Sequence, residues 1–183
     1  MILAKIRSLL QISKLFLQYN SDNIYRVVFG MPRLKSCQIT ANLFLGSQYN
    51  QVGLRKMKAL GITAIINMRM HSVYTEAQYE GFQYLHLPTP DNTPPSLDTL
   101  IQGADFADLE IKDDGKVYIH CRQGLGRGPT MTVAYLLKTG LTVEDALALI
   151  RKVRPFINPR PGQLARLKEL EAYYNQKQKT RVQ

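Results

Sequence analysis

The sequence predicts an α/β domain with a central, largely parallel sheet and helices on both faces. Short apolar runs of strand length recur along the 183-residue chain, and segments with helical periodicity alternate with them. Such alternation is typical of an α/β layer with a largely parallel sheet. Hydrophobic residues make up 45% of the sequence, which is enough to form the core of one domain.

The first predicted element is an amphipathic helix over residues 2–17. Its apolar stripe consists of side chains at helical spacing, namely Ile2, Leu3, Ile6, Leu9, Leu10, Ser13, Phe16 and Leu17. Its polar side carries Lys5, Arg7, Gln11, Lys14 and Gln18, with Leu15 as an exception. No apolar stretch approaches the roughly 18 residues that span a bilayer. A polar link at Asn20–Asn23 ends the helix, and we assign residues 1–37 to this helix and its linker.

Three roles remain open for this helix. It packs against the rest of the domain, it lies in the interface of an anionic membrane surface, or it is a mitochondrial import presequence. The last role stays open because no acidic residue comes before Asp22. No small-residue cleavage site follows the helix, which argues against a secretory signal.

Strands and helices alternate through the rest of the chain. Four strands are predicted, at Leu43–Leu45, Ile62–Met68, Phe82–Leu87 and Lys116–His120. Five helices are predicted, at Gln51–Leu60, from Ser96 to Ile111, Pro129–Lys138, Thr142–Val153 and Pro161–Asn175. Ser96 and Thr142 are residue types that cap helices. We assign residues 38–175 to the main domain and residues 176–183 to a basic tail.

The chemistry-bearing segment follows the fourth strand directly. Residues 120–127 read His-Cys-Arg-Gln-Gly-Leu-Gly-Arg, and five residues between cysteine and arginine suit a loop that folds around a phosphate. Gly124 and Gly126 allow backbone N–H groups to turn inward, and a helix beginning near Pro129 directs its positive end at the anion. Arg127 can hold two phosphoryl oxygens with its planar guanidinium. These surroundings favour thiolate over thiol at the cysteine.

This loop resembles the active-site loop of the cysteine-dependent protein tyrosine phosphatases, and other segments resemble their dual-specificity branch. Asn42–Ser47 resembles the opening strand of that branch, Gly61–Met68 its next strand, and Leu87–Asp91 the loop that carries its general acid. The resemblance runs from about residue 38 to about residue 172, in the order of the family. It implies the dual-specificity phosphatase fold.

The resemblance also implies roles for the site residues. Cys121 is the nucleophile that forms a thiophosphate ester, Arg127 binds the phosphoryl oxygens, and Asp91 protonates the leaving oxygen and then activates water. His120 orients the loop. The phosphate-binding segment consists of Arg122, Gln123, Gly124, Leu125, Gly126 and Arg127. Weaker candidates for the site are Asp98 as the acid, together with Arg69, Arg160 and Gln163.

One position departs from the pattern of the family. The family usually has Ser or Thr directly after the loop arginine, where the hydroxyl hydrogen-bonds the departing thiolate. This chain has Gly128 followed by Pro129, and Thr130 comes two residues after Gly128. The departure predicts either an enzyme with slower turnover or a phosphate-binding protein whose phosphoenzyme persists.

Several function classes are compatible with the loop to different degrees. The resemblance implies that phosphotyrosine and phosphoserine or phosphothreonine in proteins both fit, because the chain has none of the long insertions that deepen the pocket. A phosphoinositide or phosphatidylglycerophosphate substrate at a membrane is suggested by the N-terminal helix, by Arg122 and by the basic ends of the chain. Rhodanese-like sulfur carriers also place a cysteine in such a loop, but their arginine is usually nearer the cysteine and they lack an upstream acid.

Charge and cysteine content limit the partners and the compartment. The net charge is +10, with +5 in residues 1–36, −2 in residues 37–150 and +7 in residues 151–183. The basic ends suit anionic lipid or plain solvated surface, whereas nucleic acid is not expected because no aromatic residues interleave with the basic ones. The oligomeric state stays open.

The two cysteines predict a reducing compartment. Cys37 and Cys121 lie 84 positions apart, so the sequence contains neither a disulfide framework nor a zinc spacing. A reducing, cytoplasmic location keeps Cys121 available as a thiolate, and Cys37 is expected to be inert. We expect neither a metal nor an organic cofactor.

Overall fold

The computed structural model describes residues 2–72 and 74–182 of the chain. The side chains of residues 2–4, 8, 181 and 182 lie outside the description, and so do the predicted places of Ile2 and Leu3 in the apolar stripe. Within the described part, four strands form one sheet, namely β1 (Leu43–Gly46), β2 (Ala64–Asn67), β3 (Gln83–His86) and β4 (Val117–His120).

The sheet is parallel throughout and has the order β1-β4-β2-β3. β4 therefore lies between β1 and β2, with Val117 level with both Leu43 and Ala64. β4 pairs with a strand on each side, so Cys121, which follows it, lies at the carboxyl end of the centre of the sheet. The predicted α/β class with a largely parallel sheet is confirmed.

Six α-helices complete the described part of the chain: α1 (Ile2–Phe29), α2 (Gln51–Ala59), α3 (Leu97–Lys112), α4 (Arg127–Lys138), α5 (Val143–Val153) and α6 (Pro161–Val182). The predicted caps are present, because Ser96 accepts from the N–H of Thr99 and Thr142 accepts from the N–H of Asp145. These bonds satisfy N–H groups that the first helical turn leaves free.

Alternation along the strands divides the core between the two faces of the sheet. Leu43 and Leu45 of β1 face a large apolar cluster that includes α3, α4, α5 and α6, whereas Phe44 faces a smaller cluster with α2. Helices therefore cover both faces, as predicted. α4 is almost fully buried and packs on β4, β1, α3 and α6. It begins at the end of the loop after β4 and fixes the position of that loop.

Three boundaries differ from the sequence predictions. The polar link predicted at Asn20–Asn23 is wrong, because α1 continues through it to Phe29. Polar side chains are accommodated there by bonds within the helix, as the amide of Asn20 donates to the carbonyl of Phe16. α4 begins at Arg127 and not at Pro129, and α6 continues through residues 176–182, which were predicted as a tail.

The orientation of α1 is the main surprise of the fold. The side chains of the predicted apolar stripe face away from the domain. Those at positions 6, 9, 10, 16 and 17 are 47–67% exposed. The helix docks through its other side, where Leu15 and Tyr19 are half-buried and Asp22 is buried. The edge of the Tyr19 ring meets Phe156, with ring centroids 5.7 Å apart. In the described residues, no helix combines the length and apolarity that crossing a bilayer requires.

Candidate active site

The candidate site is built where the central strand ends. β4 delivers Cys121 at its carboxyl end, and residues 121–126 turn back to α4, which begins at Arg127. Gly124 has a φ of +69°, and a Cβ added there would lie 2.6 Å from the carbonyl oxygen of Gly46. The turn therefore requires glycine at this position both for its backbone conformation and for the close approach to β1.

Carbonyl groups of the loop are held on its outer side. The carbonyl of Arg122 accepts from the N–H of Gln48 at 3.2 Å, and that of Leu125 accepts from the N–H of Asn158 at 2.7 Å. The carbonyls of Gln123 and Gly124 accept from the guanidinium of Arg154. A trans peptide points its N–H opposite to its C=O, so the N–H groups that follow these carbonyls point into the loop.

Cys121 lies at the bottom of this cradle and is 3% exposed. The N–H of Gly124 donates to its Sγ at 3.3 Å. The first turn of α4 begins beside it, and the positive end of the helix dipole favours negative charge at the sulfur. Inward N–H groups together with a helix N-terminus form a site that binds an anion.

Arg127 is buried beside the cysteine and is held by backbone groups. One terminal nitrogen donates to the carbonyls of Thr89 at 2.7 Å and Met68 at 3.3 Å. The other lies 3.0 Å from the Oδ1 of Asp91. The buried Nε–H has no hydrogen-bond partner among the described residues. An unsatisfied buried donor on a cationic group is costly, and an anion bound in the loop would satisfy it.

Asp91 comes from the loop between β3 and α3, and its side chain is 64% exposed. Two bonds from the start of α6 tie this loop to the site, since Gln163 donates from Nε2 to the carbonyl of Thr93 and Arg160 donates from Nε to Oδ1 of Asn92, each at 3.0 Å. In the sequence, Asp91 was predicted from the resemblance of Leu87–Asp91 to the acid-bearing loop of the family. The structure brings its carboxylate to the guanidinium of Arg127.

His120 lies behind the loop and not in it. Its Nδ1 lies 3.2 Å from the carbonyl oxygen of Cys121, and the ring meets the edge of Tyr49 with centroids 4.9 Å apart. Burial lowers the pKa of His120 to about 3. The imidazole is therefore neutral at physiological pH, which suits an orienting role and excludes it as a charged partner of the thiolate.

Gly128 occupies the position where the family usually has a hydroxyl. A Cβ added there would lie 3.6 Å from the Sγ of Cys121 and 3.1 Å from Cδ1 of Leu45. The nearest hydroxyl downstream belongs to Thr130, and its Oγ1 donates to the carbonyl of Gly126 at 2.9 Å. The hydroxyl of Thr130 is therefore already engaged at the start of α4.

These residues surround a cleft of about 160 Å³. It is lined by Asp91, Asn92, Cys121, Arg122, Gln123, Leu125, Gly126, Arg127, Asn158, Arg160 and Gln163. The structure thus brings together Cys121, Arg127 and Asp91, with Arg160 and Gln163 as neighbours. Arg69 lines a different hollow with Tyr74, and Asp98 lies in the first turn of α3.

Sequence reasoning missed Asn92, Asn158 and Arg154. Asn92 follows the predicted acid directly, and its φ of +61° is a left-handed conformation that asparagine tolerates better than most residues. Asn158 lies in the segment before α6, from which the sequence suggested only Arg160 and Gln163 for the site. No local signal distinguishes Arg154, because an arginine at the end of a helix usually lies on the surface.

A loop that holds a cysteine, an arginine and inward N–H groups around one point has the donors that bind a phosphate group. The family described as "Dual specificity phosphatase, catalytic domain" matches residues 43–173. The chain therefore belongs to the dual-specificity phosphatase family. α1 lies outside the matched region.

Individual relatives agree with this assignment. The chain is 33% identical over 139 residues to dual specificity protein phosphatase 1 of Mus musculus, covering 74% of this chain and 37% of the relative. It thus spans little more than a third of the length of that relative. The crystal structure of Tk-PTP in its active form has a TM-score of 0.69 at 30% identity, covering 75% of this chain and 97% of Tk-PTP.

A third relative was solved with a ligand. The crystal structure of PTPMT1 in complex with PI(5)P has a TM-score of 0.71 at 26% sequence identity. The likeness covers 76% of this chain and 96% of PTPMT1. The chain is therefore similar to a relative named a protein phosphatase and to one solved with a phosphoinositide.

Proposed function

We propose that this chain hydrolyses phosphate monoesters through a cysteinyl-phosphate formed on Cys121. The observation that carries the proposal is the convergence of Cys121, Arg127 and Asp91 on one cleft. The unpartnered Nε–H of Arg127 adds a donor that an incoming phosphate satisfies. Proteins carrying phosphotyrosine and phosphoserine or phosphothreonine are the proposed substrates, because the relatives that show the family are named dual specificity protein phosphatases.

The first half-reaction transfers the phosphoryl group to sulfur. The thiolate of Cys121 attacks phosphorus while the bond from phosphorus to the substrate oxygen breaks. Arg127 and the inward N–H groups bind the three non-bridging oxygens, whose charge they stabilise in the transition state. Asp91 gives its proton to the leaving oxygen, which departs as an alcohol or a phenol.

The ion pair between Asp91 and Arg127 affects this step. One carboxylate oxygen of Asp91 is paired with the guanidinium of Arg127 at 3.0 Å. A bound phosphoryl group binds the same guanidinium and thereby frees the carboxylate to reach the leaving oxygen. Substrate binding and acid activation are thereby connected through Arg127.

The second half-reaction restores the enzyme. Water attacks phosphorus, Asp91 accepts a proton from it, and the sulfur of Cys121 leaves as a thiolate while inorganic phosphate is released. The departing thiolate receives the Gly124 N–H at 3.3 Å but no hydroxyl from position 128. We therefore expect this half-reaction to limit turnover.

Steady-state phosphate release from a chromogenic phosphate ester and from phosphopeptides tests the proposal. We expect multiple turnovers that Cys121→Ser abolishes. A single burst of one phosphate per protein followed by no further release would contradict the proposal and identify a phosphate-binding protein whose phosphoenzyme persists because of Gly128.

A membrane phospholipid is the second candidate substrate, either a phosphoinositide or phosphatidylglycerophosphate. The outward apolar stripe of α1 favours it, since side chains such as Leu10 and Leu17 are 65% and 67% exposed. At helical spacing, Lys5 flanks one edge of the stripe, and Arg7 and Lys14 flank the other. Apolar side chains flanked by basic ones bind the interface of an anionic membrane. PTPMT1 was solved with PI(5)P, which agrees with such a substrate.

Vesicles distinguish the two substrate classes. Sedimentation with phosphatidylcholine vesicles is compared with and without anionic phospholipid, and phosphate release is measured from a phosphoinositide, from phosphatidylglycerophosphate and from a phosphopeptide. We expect Leu10→Gln with Leu17→Gln to lose vesicle binding and lipid turnover while keeping peptide turnover, and Gln18→Ser on the other side of α1 to behave as the wild type. Unchanged lipid turnover in the stripe variant would contradict the membrane role.

A cytoplasmic location with attachment to a membrane surface follows from this second candidate. The two free cysteines suit a reducing compartment. A fluorescent fusion at the C-terminus, with and without the two stripe substitutions, measures the location. Release of the variant from membranes into the cytosol is expected, whereas accumulation of the wild type inside mitochondria would identify α1 as an import presequence.

A further inference from the structure

One buried guanidinium connects α1 to the active-site loop. Arg154 follows the last residue of α5, and its side chain is 1% exposed. Its Nε donates to the carbonyl of Gly124 at 3.0 Å, and one terminal nitrogen donates to the carbonyl of Gln123 at 3.1 Å. The other terminal nitrogen donates to Asp22 of α1 and to the carbonyl of Ser36, both at 3.0 Å.

The two bonds to the loop set the direction of two N–H groups. Because a trans peptide is planar, a carbonyl of Gln123 that points at Arg154 makes the N–H of Gly124 point the opposite way. That N–H is the one that donates to the Sγ of Cys121. In the same way, the carbonyl of Gly124 directs the N–H of Leu125 into the cradle. Arg154 thus controls two of the donors that face the thiolate and the phosphate.

Asp22 supplies the charge that lets Arg154 stay buried. The Asp22 side chain is 5% exposed, and its other oxygen accepts from the hydroxyl of Ser36. A buried cation without a partner is strongly unfavourable, so removal of the carboxylate leaves Arg154 to move toward water or to bond elsewhere. Either response releases the carbonyls of Gln123 and Gly124. Asp22 is also the only acidic residue among the first 36.

The connection begins outside the region that the family model matches. The family match begins at residue 43, so Asp22 and Ser36 both precede it. The contacts that hold α1 on the domain gather around this point, as Ser21 accepts from Arg33 and the guanidinium of Arg33 lies 4.5 Å from the centroid of the Tyr25 ring. The rest of the exposed stripe points away from the domain. Asp22 is therefore the buried, charged contact of an otherwise loosely attached helix.

We infer that Asp22 and Arg154 are positioning residues of the active site, through which the docking of α1 orders the phosphate-binding loop. Asp22 fixes the guanidinium of Arg154, and Arg154 holds the loop carbonyls so that the N–H groups of Gly124 and Leu125 face inward. Displacement of α1 at Asp22 thus weakens the binding of a phosphoryl group beside Cys121. The inference rests on the proposed function only in that the loop binds phosphate.

Protection of Cys121 by inorganic phosphate tests the inference in the full chain. Iodoacetamide labels Cys121, the labelled peptide is quantified by mass spectrometry, and the phosphate concentration that halves the rate is measured. We expect Asp22→Asn to raise that concentration about tenfold, while Asp22→Glu stays nearer to the wild type. Leu100→Ala, which removes a buried side chain of α3, is the control for a loss of stability alone and is expected to leave phosphate protection unchanged.

A neutral double variant covers the case in which Asp22→Asn fails to fold. Asp22→Asn with Arg154→Met removes the buried charge pair together, so no unpaired ion remains, but the loop carbonyls lose their donors. We expect this variant to fold and to show the same weakened protection. Wild-type protection in either folded variant overturns the inference. Since protection needs no turnover, a wild-type chain that binds phosphate but does not release it from esters refutes the proposed function and not this inference.

Discussion

The surroundings of the two cysteines differ although both side chains are buried. Cys37 is 0% exposed and Cys121 is 3% exposed. Cys37 lies in the apolar cluster on the α2 face, and burial raises the pKa of its thiol to about 12. Cys121 lies in a turn that aims backbone N–H groups and the start of α4 at its sulfur. The exposed fraction therefore does not distinguish Cys37 from the proposed nucleophile Cys121, whereas the direction of nearby backbone dipoles does.

The two sites differ in how they would solvate a negative charge on sulfur. Burial of Cys37 removes the hydration of a thiolate, and this loss outweighs the attraction of Arg154, so the thiol keeps its proton. In the loop, hydrogen-bond donors replace the lost water, and their orientation is already fixed by Arg154 and by neighbouring backbone groups. Four predictions test this contrast, from the largest expected effect to the smallest.

Replacement of each cysteine by serine is expected to give the largest difference in phosphate release. Cys121→Ser is expected to lower phosphate release by at least about 10³-fold, because a serine hydroxyl does not ionise in this site and nucleophile removal acts on that scale in other enzymes. The same replacement at Cys37 is expected to keep most of the activity. The measurement is steady-state release from a chromogenic phosphate ester, and equal losses in the two variants would refute the contrast.

Removal of the proposed general acid, Asp91, is expected to give the second largest loss in the rate of hydrolysis. Asp91→Asn is expected to slow hydrolysis of a phosphate with a poor leaving group by about 10²- to 10⁴-fold, because the leaving oxygen is no longer protonated. The loss should shrink with nitrophenolate, which leaves without a proton. Asp98→Asn, at the start of α3, is the matched control and should be close to the wild type. A large loss of activity in Asp98→Asn with none in Asp91→Asn would identify Asp98 as the general acid.

A hydroxyl at position 128 should strengthen the contrast between the cysteines. Gly128→Ser places an O–H near the Sγ of Cys121, where a bond to the departing thiolate stabilises it by about 1.5–3 kcal/mol. We expect kcat to rise about tenfold, with the gain in hydrolysis of the phosphoenzyme. Gly128→Ala adds the same Cβ without the hydroxyl and controls for crowding against Leu45. Equal kcat values in the two variants would contradict our account of this position.

The inert cysteine predicts a pH dependence of stability. In the unfolded chain the thiol of Cys37 loses its proton near pH 9, whereas burial raises its pKa to about 12 in the folded chain. The folded state thus binds more protons between these values, and stability falls as pH rises through the window, by up to about 1.4 kcal/mol for each pH unit.

Urea unfolding at pH 8.5, 9.5 and 10.5 measures this effect. Cys37→Ala removes the thiol, so its free energy of unfolding should fall less steeply with pH than that of the wild type. The difference between the two slopes isolates Cys37 from the buried tyrosines, which titrate in both proteins. Parallel slopes would show that Cys37 ionises as easily in the folded chain as in the unfolded one.

The N-terminal helix shows where sequence reasoning failed. Periodicity placed an apolar stripe over residues 2–17, and a helix normally buries such a stripe. The structure docks the opposite side through Tyr19 and Asp22, because a buried ion pair with Arg154 is available there. The polar residues at 20–23 also continue the helix, since their side chains bond within it. Neither the docked side of α1 nor its length can be predicted from the hydrophobic pattern of residues 2–17 alone.

The local sequence by itself determined the chemistry of this protein. Five residues between Cys121 and Arg127, glycine at the turn and the strand before them specify a phosphate-binding loop, because backbone conformation and side-chain type act over short distances. The predicted strands and the caps at Ser96 and Thr142 follow from equally local rules, whereas Asp91 was predicted only through the resemblance to the family.

Tertiary structure alone decided what holds that loop and what surrounds it. Arg154 reaches Gln123 and Gly124 from about 30 residues away, and Asp22 reaches Arg154 from 132 residues away. Such contacts depend on the packing of α5 and α1 against the sheet, and no sequence spacing encodes them. Burial then fixes their energies, because a charge removed from water must find its partner in the folded chain.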